Sequence, residues 1–274
     1  MTGATAVGEI RSFLAAGYRW KARCECGETF LECPFWSAVT DKAMPDSTAE
    51  QREHFEAVRR DLVRNRSLHR LLRGREHWSD AEEDVAQLHV RLYQAIETVA
   101  DNPLIVDASK SPVYGLFLTE LDAIDVRVIQ LVRDSRAVAY SWQRDKEWSS
   151  SSAEHTQMMR TRKPAAAARE WVSYNAFGDV LRGRHSPSIL VRYEDLADDP
   201  DDTVHKIVEA LDLPQHDPSP TGSGHGFLGN PMRFDTGPVT VTRDDEWKSE
   251  LSRSDRVITT ALTGPQLLRY GYRP

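Results

Sequence analysis

The sequence places groups that can bind an anion shortly after each of three apolar runs. These groups are Ser109, Lys110 and Ser111 after residues 104–106, Arg133 after residues 126–132, and Tyr193 after residues 189–191. Ammonium and guanidinium groups, hydroxyls and an aromatic ring together suit a phosphorylated nucleotide. One charge at a strand end is usually only solvated, but three such ends favour a common binding site.

The pattern between these groups predicts the elements that must position them. The apolar runs are short and rich in β-branched residues, which indicates buried strands, and helical patterns separate them. Strands that alternate with helices form a mainly parallel sheet that is covered on both faces. Ligands of such sheets bind beyond the carboxyl ends of the strands, so we expect the groups to meet at one edge.

Helix starts are marked by two capping boxes, at residues 47–50 (STAE) and 79–82 (SDAE). The first predicts a helix that ends near Gly74, and the second predicts a helix that ends before Pro103. Further helices are predicted near residues 136–146, 164–181, 200–211 and 254–262.

Ser141 lies eight residues after Arg133, and its position suggests a second group for the same anion. If Asp134 or Ser135 caps the intervening helix, Ser141 lies near the second helical turn. A guanidinium at the strand end and a hydroxyl on the helix could then hold one phosphate near the helix N-terminus.

The composition is that of a globular protein and argues against several classes of function. The chain has 274 residues, a formal net charge of −7 and 40% hydrophobic residues, which suits one large or two small domains. The negative charge argues against a nucleic-acid partner. No run of about 18 apolar residues is present, so we expect no membrane span. The first residues lack the basic-then-apolar pattern of a secretion signal, so we expect a cytoplasmic protein.

Residues 105–112 (IVDASKSP), followed by residues 128–142 (VIQLVRDSRAVAYSW), resemble the core of the sulfotransferase family. Members of this family use 3′-phosphoadenosine 5′-phosphosulfate (PAPS). Collinear stretches agree with the bacterial branch of the family: residues 24–36 (CECGETFLECPFW), 190–200 (LVRYEDLADDP), 229–234 (GNPMRF) and 267–272 (LLRYGY). The resemblance covers nearly the whole chain. It implies one domain over residues 1–274 with the P-loop NTPase-like fold, an α/β three-layer sandwich with a mainly parallel sheet.

The resemblance also implies catalytic roles for two residues. Glu9 follows a short strand predicted at residues 4–7 and is the candidate general base, with His225 as a second candidate. Lys110 corresponds to the lysine near the transferring sulfuryl group, and Ser109 and Ser111 are neighbouring hydrogen-bond donors.

The cofactor-binding roles are implied in the same way. Arg133 and Ser141 correspond to the residues that hold the 3′-phosphate, and Tyr193 is expected near the adenine. Asn230 and Arg233 correspond to the C-terminal loop that closes over the phosphates.

One element of the family pattern is missing from the sequence. Family members begin with a strand and a Gly/Ser/Thr-rich loop that holds the 5′-phosphosulfate, and no sequence of the form G-x-x-x-x-G-K-[ST] or close relative occurs here. We therefore expect a fold that lacks its first βα unit. Either the natural protein begins upstream of Met1, or a shortened form binds its cofactor less well.

The three cysteines, Cys24, Cys26 and Cys33, have the spacing C-x-C-x6-C. A structural zinc site requires four ligands, and the nearest histidine in the sequence is His54, beyond a predicted helix start. We therefore expect free thiols or a local staple, and no metal.

The resemblance implies a sulfotransferase that moves a sulfuryl group from PAPS to a hydroxyl or amine of a small molecule or glycan. Residues 149–163 would shape the acceptor side. The alternative is a catalytically impaired protein of the same fold that only binds its ligand.

Overall fold

The computed structural model describes residues 3–144, 161–214, 224–229 and 242–273. These residues form two compact units. The first unit holds residues 3–126 and 224–229 of the described chain, and the second holds residues 127–144, 161–214 and 242–273. The expectation of a single domain over residues 1–274 stays a prediction.

The first unit contains one parallel strand pair and five helices among its described residues. The strands are β1 (Thr5–Gly8) and β2 (Ile105–Asp107), and the helices are α1 (Pro34–Ala43), α2 (Ala49–Leu62), α3 (Leu68–Leu71), α4 (Asp80–Ala100) and α5 (Pro112–Leu118). In the strand pair, Thr5 lies opposite Ile105, and the register shifts before Gly8. Both strands therefore end on the same side, where Glu9 and Lys110 follow.

Helix α4 is the longest element of the first unit, and its sequence explains both its start and its packing. Its N-terminus has the predicted capping box, in which the backbone N–H of Ser79 donates to Glu82 Oε2 at 2.8 Å. Its buried side chains recur at helical spacing and include Val85, Leu88 and Leu92. This apolar stripe packs α4 against α1 and α2.

Aromatic side chains fill the core of the first unit. The rings of Phe30 and Trp36 are stacked at 4.8 Å, and Phe227 meets both rings edge-on. Phe227 lies about 190 residues after the other two in the sequence, so the cluster fastens residues 224–229 to the N-terminal segment.

The second unit also contains one parallel strand pair. Its strands are β3 (Val128–Val132) and β4 (Ser188–Arg192), and its helices are α6 (Ser135–Gln143), α7 (Pro164–Arg184), α8 (Tyr193–Asp198), α9 (Pro200–Ala210), α10 (Trp247–Glu250) and α11 (Arg253–Arg269). The two strands pair in register over five residues. Val132, Trp171, Leu267 and two C-terminal tyrosines form a buried cluster beside them.

The predicted α/β class is confirmed, because both units combine parallel strands with helices. The prediction of a helix from residue 47 to Gly74 is wrong. Helix α2 ends at Leu62, since the Ser67 hydroxyl donates to the Asp61 carbonyl at 2.7 Å and turns the chain into a 3₁₀ turn. The cap also lies one residue later than predicted, at Thr48.

Within the described residues, no helix is both long and apolar enough to cross a membrane.

Candidate functional site

Glu9 and Lys110 form an ion pair at the carboxyl ends of β1 and β2. Lys110 Nζ lies 3.1 Å from Glu9 Oε1, although 101 positions separate the two residues. The Glu9 side chain is 18% exposed and the Lys110 side chain is 64% exposed. A largely shielded carboxylate beside an accessible ammonium can accept a proton and stabilise an anion at neighbouring positions.

The backbone around this pair is unusual at both residues. Gly8 has φ +80°, and a Cβ there would collide with the Phe227 carbonyl, so only glycine fits. The Glu9 N–H donates to that same carbonyl at 3.2 Å. Lys110 adopts a left-handed backbone with φ +53°, a conformation that costs free energy and is common at functional sites. The surrounding structure thus holds both side chains in place.

Asp107 supports the pair from inside the first unit. One carboxylate oxygen accepts from the Ser109 hydroxyl at 2.5 Å, and the other accepts from the Tyr93 hydroxyl at 2.6 Å. The Ser109 hydroxyl in turn accepts from the Arg11 N–H at 3.0 Å. Burial raises the pKa of Asp107 above its ordinary value, while these hydrogen bonds oppose the shift. The network connects the residue before Lys110 to the segment after Glu9.

The predicted donors Ser109 and Ser111 both have partners within the protein. Ser109 is buried in the network with Asp107. Ser111 caps α5, where its hydroxyl accepts from the Tyr114 N–H at 3.4 Å. The structure therefore gives both serines a local structural role, and their role toward a ligand stays a prediction.

His225, the second candidate base, lies against two of the cysteines. Its Nδ1 lies 3.4 Å from Cys33 Sγ and 3.7 Å from Cys24 Sγ, and all three cysteines are free thiols. Burial lowers the pKa of His225 and raises the pKa of the Cys24 and Cys33 thiols. Cys26 also lies close to these side chains, so the three cysteines and His225 together offer four possible metal ligands. The spacing of the cysteines in the sequence did not reveal this fourth ligand, because the histidine is about 190 residues away.

In the second unit, Arg133 follows β3 as predicted. Its Nη2 donates to Asp244 Oδ2 at 2.9 Å, and its guanidinium lies 4.6 Å from the centre of the Tyr193 ring. Partial burial raises the pKa of Asp244, but the hydrogen bond and charge of Arg133 outweigh it and lower the pKa overall. Among the described residues, Arg133 Nε is buried without a hydrogen-bond partner, a state that costs about 1–3 kcal/mol.

The helix that follows Arg133 begins as predicted. Asp134 caps α6 by accepting from the Arg136 N–H at 2.8 Å, and its own N–H donates to the buried carboxylate of Glu194 at 3.1 Å. Ser141 is the seventh residue of α6 and lies in its second turn. The strand end, the cap and Ser141 are therefore in the predicted order.

Some predicted site residues lie outside the described residues. These are Asn230 and Arg233 of the C-terminal loop and most of residues 149–163 of the acceptor segment. Gly229, the described residue that directly precedes Asn230 in the sequence, lies close to the ion pair. A Cβ at Gly229 would lie 3.7 Å from Lys110 Nζ and 4.0 Å from Glu9 Oε1.

Two carboxylates that position the candidate residues, Asp107 and Asp244, are not recognisable in this role from the sequence. Asp107 was visible in the IVDASKSP run, directly after an apolar strand, but its burial was not. Asp244, the partner of Arg133, carries no signal in the sequence, because it is 111 residues away in an acidic segment.

Comparison with known proteins gives one family. The profile of the sulfotransferase family matches residues 13–217. Among solved structures, the chain is similar to a sulfotransferase domain from the curacin biosynthetic pathway, with 14% identity, a TM-score of 0.42, and coverage of 100% of this chain and 99% of that chain. No curated protein sequence matches significantly. Since the family profile spans well over half of the chain, this protein belongs to the sulfotransferase family.

Proposed function

We propose that this protein transfers a sulfuryl group from PAPS to a hydroxyl or amine of a small molecule or glycan. The observation that carries this proposal is the Glu9–Lys110 pair, with 3.1 Å between Oε1 and Nζ, in a chain of the sulfotransferase family. A proton acceptor and a cation side by side are the two groups that sulfuryl transfer requires of a protein.

The chemistry divides between these two side chains. Bound PAPS supplies the sulfuryl group, whose bond to the 5′-phosphate oxygen breaks as the acceptor atom bonds to sulfur. Glu9 takes the proton that the acceptor loses. Lys110 places its ammonium where it offsets negative charge on the sulfuryl and leaving oxygens. Glu9 is the better candidate base than His225, because Nδ1 of His225 faces two cysteine sulfurs.

The second unit offers groups that fit the nucleotide. Arg133 Nε is a buried donor that lacks a partner among the described residues, and a phosphate oxygen would satisfy it. The Tyr193 ring lies beside the same guanidinium and presents an aromatic surface. Ser141 in the second turn of α6 adds a hydroxyl on the helix that follows. We assign Arg133 and Ser141 to the 3′-phosphate and Tyr193 to the adenine.

The test is turnover of PAPS. The purified protein is incubated with PAPS and a panel of phenols, alcohols, amines and sugars, and the release of adenosine 3′,5′-bisphosphate is measured by chromatography. We expect acceptor-dependent release. Binding of the nucleotide without release for any acceptor would support the impaired binding protein instead. The absence of both binding and release would overturn the proposal.

A further inference from the structure

Three cysteines and one histidine of the first unit converge on one point. One ligand atom from each of Cys24, Cys26, Cys33 and His225 lies within 4.8 Å of all the others. Cys24 and Cys33 are fully buried, and Cys26 is exposed at the surface. The cysteines come from one segment, residues 24–33, whereas the packing of the fold brings in His225 from about 190 positions away.

The distances match those of a tetrahedral zinc centre. Zinc binds sulfur at about 2.3 Å and imidazole nitrogen at about 2.0–2.1 Å, so bound sulfur and nitrogen lie about 3.6 Å apart and two bound sulfurs about 3.8 Å apart. The observed sulfur-to-Nδ1 distances are 3.4 Å for Cys33 and 3.7 Å for Cys24. The remaining separations between ligand atoms in the group are at most 4.8 Å, about 1 Å beyond the value for two zinc-bound sulfurs.

The orientation of His225 is fixed by contacts that leave Nδ1 toward the sulfurs. Its ring stacks on Phe35 at 4.6 Å with an interplanar angle of 2°, and its carbonyl accepts from Trp36 Nε1 at 2.6 Å. A disulfide between two cysteines would use neither the imidazole nor the third sulfur. Three sulfurs and one imidazole form a complete set of four ligands, which is typical of a structural zinc site.

We propose that Cys24, Cys26, Cys33 and Nδ1 of His225 bind one structural Zn²⁺ ion. Four protein ligands leave no open position for substrate, so the ion has a structural and not a catalytic role. The proposal does not depend on the proposed sulfuryl transfer.

The ion would fix the backbone beside Glu9. Cys24 pairs with Phe227 through an antiparallel bridge, and the Glu25 N–H donates to the Gly226 carbonyl at 2.9 Å. On its other side, Phe227 accepts from the Glu9 N–H. The segment 224–229 thus lies between residues 24–25 and the end of β1. Zinc at His225 would hold this segment, and with it the start of the GNPMRF run.

The first test is the metal content of the intact protein. The chain is purified in metal-free buffer and analysed by mass spectrometry of its metals, and we expect about one zinc ion per chain. Replacement by Co²⁺ should produce thiolate-to-cobalt charge-transfer bands and the strong visible absorption of tetrahedral cobalt. Two results together would overturn the proposal. The zinc content would stay well below one ion per chain after Zn²⁺ is added, and all three thiols would react freely with a thiol reagent.

Variants test the ligand set without relying on activity. Cys26→Ser changes an exposed side chain, so the protein should still fold. Its zinc affinity should fall by more than about 10-fold. The thiolate-to-cobalt charge-transfer bands should weaken, because one of the three thiolates is absent. His54→Asn, an exposed histidine of the same unit, is the matched control and should keep the zinc of the parent. Full zinc occupancy and an unchanged cobalt spectrum in Cys26→Ser would contradict the proposed site.

Discussion

Glu9 and Lys110 are held in position by contacts that other side chains and the backbone make. The backbone N–H of Glu9 donates to the Phe227 carbonyl, and Lys110 follows Ser109 in a left-handed conformation beside the hydrogen bonds of Asp107. The pair is therefore arranged before any substrate binds, which reduces the reorganisation needed during the reaction.

Replacing Glu9 by glutamine removes the proposed base and keeps the shape of the side chain. We expect Glu9→Gln to lower kcat by about 10²–10⁴-fold, the range for loss of a general base, while the affinity for adenosine 3′,5′-bisphosphate stays within a small factor. Steady-state rates and calorimetry measure the two quantities. Glu53→Gln, an exposed residue of α2, is the control. A kcat equal to that of the control would exclude Glu9 as the base.

Arg133 combines a planar guanidinium with a buried Nε that lacks a partner among the described residues. Arg133→Lys removes this donor but keeps the charge, so we expect binding of adenosine 3′,5′-bisphosphate to weaken by about 10–100-fold. Binding of adenosine 5′-monophosphate, which lacks the 3′-phosphate, should change little. Calorimetry measures both, with the exposed Arg169→Lys as control. Equal losses for the two nucleotides would argue against a 3′-phosphate contact.

Helix α4 connects the core of the first unit to its candidate site. Tyr93 of α4 donates to Asp107, and His89, one turn earlier, is packed against Tyr114 and Phe117. The His89 Nδ1–H donates to the Val85 carbonyl at 2.7 Å inside the same helix. Burial lowers the pKa of His89 to about 4.

This buried histidine makes the stability of the fold depend on pH. The unfolded chain binds a proton at His89 below about pH 6.5, whereas the folded chain binds it only below about pH 4, so the free energy of unfolding falls as the pH drops between these values. The loss amounts to about 3 kcal/mol. It should be absent in His89→Gln and present in His54→Gln, as measured by urea unfolding from pH 7 to pH 4. Parallel curves for the two variants would contradict this assignment.

The proposed roles divide between two units, each with its own parallel strand pair. Glu9, Lys110 and the proposed zinc ligands belong to the first unit. Arg133 and Tyr193 belong to the second. We therefore expect the nucleotide and the metal to stabilise different segments of the chain.

Hydrogen exchange can distinguish the effect of nucleotide binding from the effect of zinc removal. Adenosine 3′,5′-bisphosphate at about 100 times its Kd should slow exchange at the start of α6 by up to about 100-fold, whereas adenosine 5′-monophosphate should protect it less. Zinc removal should speed exchange in residues 24–33 and 224–229 and leave α6 unchanged. If each treatment instead changed exchange evenly over both units, the assignment of separate roles would be wrong.

Much of the secondary structure could be predicted from local sequence. The four strands, the Ser79 cap and the start of α6 follow from short-range patterns of β-branched residues and hydrogen-bonding side chains. The helix predicted to reach Gly74 failed because a contact from Ser67 back to Asp61 overrides the helical pattern. Helix propensity is a weak preference, and a side-chain hydrogen bond to a nearby backbone carbonyl can override it.

Patterns in the sequence are enough to predict the α/β class, the order of the strand ends and the family resemblance that the profile match confirms. The contacts between distant groups emerge only in the folded chain: Glu9 with Lys110, Arg133 with Asp244, and His225 with the cysteines. Strands and caps depend on residues a few positions apart, whereas these contacts join residues about 100 to 200 positions apart. Such pairs are set by the packing of the core, which no local pattern encodes.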